Sequence, residues 1–239
     1  MASEYLKWKY RDEKPEERRA LTPKEKRKNW WHYHKWHAAV GAALAGMALS
    51  LACNMLGVGQ VKPDYQIAYV GENALPDGTA AAIETAFAAL GEDLNGDGRV
   101  TVRLNQYPTG GADPNLTAAS QTTLMGDLLE CESYFFLLED PARFQADYHT
   151  LCRLDGSLPE EADRSAQGTY LPWTGCPGLA GAELGGYSYQ LLGETVSGSS
   201  GELVSGLYLA RRGFWTKKTA PYPEGCEALW NELVKGAAG

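Results

Sequence analysis

The hydrophobic pattern is most uniform between Ala38 and Val61, AAVGAALAGMALSLACNMLGVGQV, 24 positions without one charged side chain. Its apolar residues follow no stripe of period 3.6, so a helix here is apolar all round and belongs in a large core or in lipid. At about 1.5 Å per residue it reaches roughly 36 Å, enough to cross a bilayer core of about 30 Å. Trp30, Trp31, Tyr33 and Trp36 lie just upstream with Lys35 and His37. Amphipathic rings gather at headgroup level, and a lysine stem can snorkel toward phosphate. The pattern predicts one transmembrane helix over 38–61. Thr22 before Pro23, with Glu25 three positions on, is a capping-box start. The helix is expected to run from there through the membrane without a break. Met1 to Ala20 is dense in charge and has no apolar face, so it reads as a tail or frayed helix.

Beyond Val61 the periods alternate. Lys62-Pro63-Asp64 reads as a linker. Tyr65 to Val70 has strand composition. Thr79 to Leu90 is helical, with Ile83, Phe87 and Leu90 on one face. Val100, Val102 and Leu104 alternate with polar residues as a strand. Asn115 to Leu129 is helical, and Tyr134 to Leu138 (YFFLL) is a wholly apolar strand for a sheet centre. Asp140-Pro141 starts a short helix carrying Phe144 and Tyr148. From Leu154 to Gly193 periodicity is weak, with short strands expected near Leu171–Trp173 and Tyr187–Leu192. Ser197 to Gly201 reads as a turn, Leu203 to Ala210 as a strand, and Tyr222 to Lys235 as a last helix. Strand-helix alternation predicts an α/β fold: one three-layer, mostly parallel-sheet domain over 62–239.

Charge gives the arrangement a direction. Residues 1–37 carry 11 Lys/Arg against 6 Asp/Glu, a net +5, whereas 38–239 carry 11 against 24, a net −13. Lys24, Lys26, Arg27, Lys28 and Lys35 precede the span, and only Lys62 follows it closely. The positive-inside rule puts residues 1–37 in the cytoplasm and 62–239 outside, in a single-pass cell-membrane protein. The acidic outer domain argues against nucleic acid as its partner. Beside a membrane, the basic arm is expected to meet anionic headgroups.

Leu49-Ser50-Leu51-Ala52-Cys53 resembles the lipobox of bacterial lipoproteins, with Ser50 where that family prefers Leu. That resemblance, or a signal peptide, is the rival to a spanning helix. A lipid on Cys53 would leave the same domain tethered on the same side. Ala38, Ala42 and Gly46 form a small-residue row, as do Gly41 and Ala45, which an Ala/Gly-rich helix produces by chance.

Outside the span lie Cys131, Cys152, Cys176 and Cys226. An even number in a compartment that permits disulfides suggests pairing, with Cys176–Cys226 the first guess because both lie in Gly/Pro turns. Four reduced, half-buried thiols are the equal alternative. His32, His34 and His37 belong to the aromatic belt, leaving His149 for any Ser-His-Asp arrangement, and there is no nucleophile-elbow motif. One histidine excludes a multi-His zinc site in this domain. Glu139/Asp140 and Glu160/Glu161 have the composition of glycosidase acids, but adjacent acids usually form solvated surface.

Asp93-Leu94-Asn95-Gly96-Asp97-Gly98-Arg99-Val100-Thr101 resembles the calcium loop of EF-hands and dockerin modules. The resemblance implies oxygen ligands from Asp93, Asn95 and Asp97, a sharp turn at Gly98 and ligation at Arg99 and Thr101. Position 12, where the family has a bidentate carboxylate, is Leu104. The competing reading is an Asx-rich turn whose side chains bond neighbouring amides.

The arrangement WHYHKWH, apolar span, KPDYQIAYVG, EDLNGDGRVTVRLNQY and ESYFFLLEDPARF resembles a group of uncharacterised bacterial single-pass membrane-anchored proteins. Tyr65 to Asp140 also resembles one lobe of solute-binding proteins, in which ligands sit at strand ends between two lobes. That is an analogy of fold, which does not carry function. The expected function is a membrane-anchored extracytoplasmic binding or interaction domain for a protein partner or small ligand. The alternatives are a surface hydrolase using carboxylates or His149, and a structural subunit of a membrane assembly.

Overall fold

A computed structural model describes residues 20–55, 62–111, 113–191 and 193–237. Residues 1–19 of the tail expected over Met1 to Ala20, and the end of the expected span, 56–61, lie outside them. The chain divides into two compact units, Met1–Val61 and Lys62–Gly239.

The first unit is helix α1, Pro23–Met55. At about 1.5 Å per residue its 33 residues extend roughly 50 Å. The capping box forms reciprocally. Glu25 Oε2 accepts from the Thr22 N–H at 2.9 Å, and Thr22 Oγ1 accepts from the Glu25 N–H at 3.4 Å. The basic, aromatic and apolar stretches therefore share one continuous helix. Its described residues are exposed as far as Ala52, including Val40, Leu44, Met47, Leu49 and Leu51. The helix is long and apolar enough to cross a membrane.

The second unit is α/β, built on a mixed five-stranded sheet. Its elements are β1 (Tyr65–Gly71), α2 (Asp77–Ala88), β2 (Val102–Pro108), α3 (Pro114–Glu130), β3 (Phe135–Leu138) and α4 (Pro141–Tyr148). There follow β4 (Tyr170–Pro172), α5 (Pro177–Ala180), β5 (Gly186–Leu191), β6 (Glu194–Ser199), α6 (Ser200–Ser205), β7 (Tyr208–Arg211) and α7 (Pro223–Val234). The sheet order is β2-β1-β3-β7-β4, and β5 pairs separately with β6.

Strand β1 pairs in parallel with both β2 and β3, but β7 is antiparallel to β3 and to β4. The expected mostly parallel sheet is thus half parallel. The β-α alternation that justified the expectation ends after α4, and β7 returns from a hairpin and short helix. Side chains alternate across the central strands. Ile67, Phe135, Leu137 and Leu209 join Ile83 and Phe87 of α2 and Leu229, Trp230 and Leu233 of α7 in one cluster. Ala68, Val70, Phe136, Leu138 and Ala210 join Leu124 of α3 and Phe144 of α4 in another. Strand β3 is apolar throughout because both its faces are covered.

Three local expectations are corrected. The stretch read as a turn at Ser197–Gly201 is instead the end of β6 followed by α6, and of the strand expected from Leu203 to Ala210 the first residues belong to α6 while Tyr208, Leu209 and Ala210 lie in β7. Ser200, fully buried, shares a hydroxyl hydrogen bond of 2.9 Å with Thr79, and Val204 is buried below it. A short apolar run fits helix and strand alike, and this tertiary contact decides. Asp64, read as linker, is 1% exposed and accepts three backbone N–H bonds. Of the two readings of the cysteines, the Cys176–Cys226 pair is not formed, and Cys131, Cys152, Cys176 and Cys226 are free thiols, as in the alternative. The Cys176 thiol donates to Pro172 O at 3.4 Å and that of Cys226 to Pro221 O at 3.6 Å. Burial pushes both thiols up to about 12.

Candidate functional site

From β1 the chain passes through α2 to β2 on one side of the sheet, and from β3 through α4 toward the other side. The C-terminal ends of β1 and β3 therefore flank a topological switch point, where open α/β sheets leave a crevice. Gly71 ends β1 there, and Glu139 follows β3, with its N–H donating to Val70 O at 3.1 Å.

Glu139 is exposed yet fixed. Its Oε1 accepts the Tyr69 hydroxyl at 2.6 Å, and its Oε2 accepts the Glu72 N–H at 2.7 Å. Tyr69 is 1% exposed, and its phenol is pushed well above the ordinary range, first by burial and then by Glu139. Glycine is required at 71, because a Cβ would overlap the Tyr69 hydroxyl and the Glu139 carboxylate. The β1 and β2 ends are laced beyond the strands. The N–H groups of Thr109 and Gly110 donate to Gly71 O and Glu72 O, each at 2.8 Å. Asp140 caps α4, accepting from the Arg143 N–H at 2.9 Å, with Pro141 in the first turn.

Two cavities open at this edge, and Glu139 alone lines both. One, about 450 Å³, lies over Gly71, Gly110, Arg143 and Tyr148. The other, about 780 Å³, lies between the loop entering α2 and the β5–β6 hairpin, where Tyr187 and Tyr189 form part of its wall. Those two rings stack with centroids 6.0 Å apart and planes at 20°. Glu72, Asp77, Glu139, Asp140 and Asp147 line the pair of cavities against a single guanidinium, that of Arg143.

The Asp93 loop lies at the opposite edge, between α2 and β2. Asp93 accepts from the Gly96 and Gly98 N–H groups, both at 2.7 Å, and Asn95 Oδ1 accepts from Asp97 at 2.8 Å. Asp97 Oδ1 accepts from the Arg99 N–H at 2.9 Å. The Thr101 N–H donates to Asp64 Oδ2 at 2.7 Å, so Asp64 ties the loop to the start of β1. Backbone N–H bonds, led by Gly98, hold the Asp93 carboxyl below its ordinary range. Leu104, at the position of the missing carboxylate, is buried in β2. Among the described residues no group of three or more His, Cys, Asp or Glu side chains is placed to hold a metal.

His149 caps the end of α4 with a left-handed φ of 49°. Its Nε2 lies 3.1 Å from Glu160 O, and its ring packs on Trp215. Beside Asp140, Glu139 has the composition of solvated surface, and its place directly after YFFLL is the signal that points to a strand-end site. The buried pair Arg212–Asp127 had no sequence signal. Arg212 Nη2 donates to Asp127 Oδ1 at 2.9 Å, and Asp127 also accepts from the Tyr107 and Ser133 hydroxyls. Both charged side chains are at most 2% exposed.

No protein-family model, curated protein or solved structure matches the chain.

Proposed function

We propose that this is a membrane-anchored binding protein. In this reading α1 crosses the bilayer with residues 1–37 in the cytoplasm, and the outer domain takes a small ligand or a segment of a partner at the Glu139 cleft. The observation that carries the binding role is the junction of two cavities at one immobilised carboxylate, at the sheet's switch point. A side chain held by a buried phenol and a backbone N–H has lost its rotamer freedom before any ligand arrives, which lowers the cost of binding. The anchor is supported by the exposed apolar length of α1, for which lipid is the matching solvent.

The test is a thermal-shift screen of the full chain in detergent against amines, sugars, amino acids and short peptides. A ligand that stabilises the wild type and loses its effect in Glu139→Ala supports the reading. Ligands whose effect survives Glu139→Ala would move the site elsewhere. Calcium at Asp93, Asn95, Asp97, Arg99 and Thr101 stands as a separate proposal, because these residues close one loop away from the cleft.

A further inference from the structure

We infer that the larger cavity selects an organic ammonium ion, an inference that rests on the cleft being the binding site. Three features converge on it. The first is charge. Asp77 and Glu139 line this cavity and Glu72 lines its neighbour, and among the described residues none of the three forms an ion pair. The one cation lining either cavity, Arg143, lies 3.8 Å from Asp147 on its own helix, with both side chains largely exposed. The field inside is therefore negative, and a low-dielectric wall strengthens it.

The second feature is the aromatic wall. Tyr189 is 43% exposed although large aromatic side chains normally bury most of their surface, and it stacks on Tyr187 within the same lining. Strand alternation explains why two residues of β5 two apart share a face. A ring face carries negative potential and attracts an ammonium group within about 6 Å of its centroid. The third feature is size. A cavity of about 780 Å³ is in the range of small-molecule sites. Glu139 has both oxygens engaged by donors that leave a second lone pair on each, so it can accept an ammonium without losing Tyr69.

The test is isothermal titration of the full chain in a polyoxyethylene detergent, which has neither a sugar nor a choline headgroup. The probes are choline, its neutral isostere 3,3-dimethylbutan-1-ol, N-acetyl-lysine methylamide and methyl glucoside. The expected result is that choline or the lysine amide binds about tenfold or more tighter than the neutral isostere. Binding by choline would identify a free ammonium compound, and binding by the lysine amide the same group borne on a peptide. Glu139→Gln, which keeps an acceptor for Tyr69 but turns its amide N–H2 toward the Glu72 N–H, and Tyr189→Ala should each weaken that binding about fivefold, and Tyr189→Ala should leave the melting temperature near wild type. If dimethylbutanol or methyl glucoside binds as tightly as choline and Glu139→Gln weakens it, the cleft is real and the ammonium inference is wrong. If no probe binds, the inference also falls, and the Glu139→Ala screen decides separately whether the cleft binds anything.

Discussion

Tyr69 donates its hydroxyl to Glu139 Oε1 at 2.6 Å, joining two neighbouring parallel strands at the edge where the cavities open. The buried ring belongs to the core and its hydroxyl to the cleft, so one residue couples packing to site geometry. Tyr69→Phe keeps the ring and removes the donor. A hydrogen bond to a charged group contributes about 1.5–3 kcal/mol, and the exposed side of Glu139 places the expected loss near the lower end. Urea denaturation should show about 1–2 kcal/mol less stability, with an unchanged m-value. A wild-type midpoint would show that the hydroxyl contributes nothing.

Arg212 and Asp127 fix the lower part of the sheet to α3. Asp127→Ala leaves Arg212 buried with two carbonyl acceptors, Ser133 O and Leu128 O, and no counter-charge. Removing one partner of a buried pair costs about 3–5 kcal/mol. The variant should melt far below wild type, by more than Tyr69→Phe does. A shift smaller than that of Tyr69→Phe would mean the pair is solvated.

Alkaline stability follows from Tyr69, Tyr107 and Tyr134. Burial raises all three phenols above their ordinary value near 10, and the carboxylates of Glu139, Asp127 and Glu227 that accept from them raise them further. A raised folded pKa favours the folded state below the unfolded value and loses that contribution as pH rises beyond it. The contribution of these three phenols should therefore be level below pH about 10 and fall steeply above it, adding to the loss that the buried Cys176 and Cys226 thiols begin nearer pH about 8.5. Absorbance at the phenolate band should show exposed tyrosines titrating first and these three ionising only with unfolding. Full titration of every tyrosine in folded protein would contradict this.

The Asp93 loop gives a two-way test of calcium. If Asp93, Asn95, Asp97, Arg99 and Thr101 ligate, millimolar calcium raises the melting temperature of the wild type, chelator reverses it, and Asp93→Ala abolishes it. If the loop is closed by its amides alone, calcium changes nothing and Asp93→Ala lowers stability with or without it. Asp93 Oδ1 and Oδ2 already hold Gly96 and Gly98 in the left-handed region, so that loss is expected in either case.

Much of this frame was legible from the chain. The charge-free stretch after the Thr22–Glu25 box predicted a continuous helix, because helix periodicity, capping and polarity are local properties. β1, α2, α3, β3 and α4 were legible for the same reason, each with a clear period or cap. What failed depended on distant partners. Only the end of LVSGLYLA, Tyr208 with Leu209 and Ala210, forms the expected strand, because its start follows Ser200, bonded to Thr79, into α6, and the sheet's direction changes where β7 docks on β3. Glu139 read as solvated surface because neither Tyr69 nor the Glu72 N–H is near it in sequence. Asp64 read as linker because the amides it binds lie some 30 residues on.

The most direct test of the account is the topology of the full chain in a living membrane. With one epitope tag before Met1 and another after Gly239, spheroplasts of an expressing host are treated with protease. The expected result is that the chain stays with the membrane after carbonate washing, that the C-terminal tag is removed, and that a short fragment bearing the N-terminal tag survives until the membrane is opened. Loss of the N-terminal tag with survival of the C-terminal one, or recovery of both tags in the soluble fraction, would contradict it.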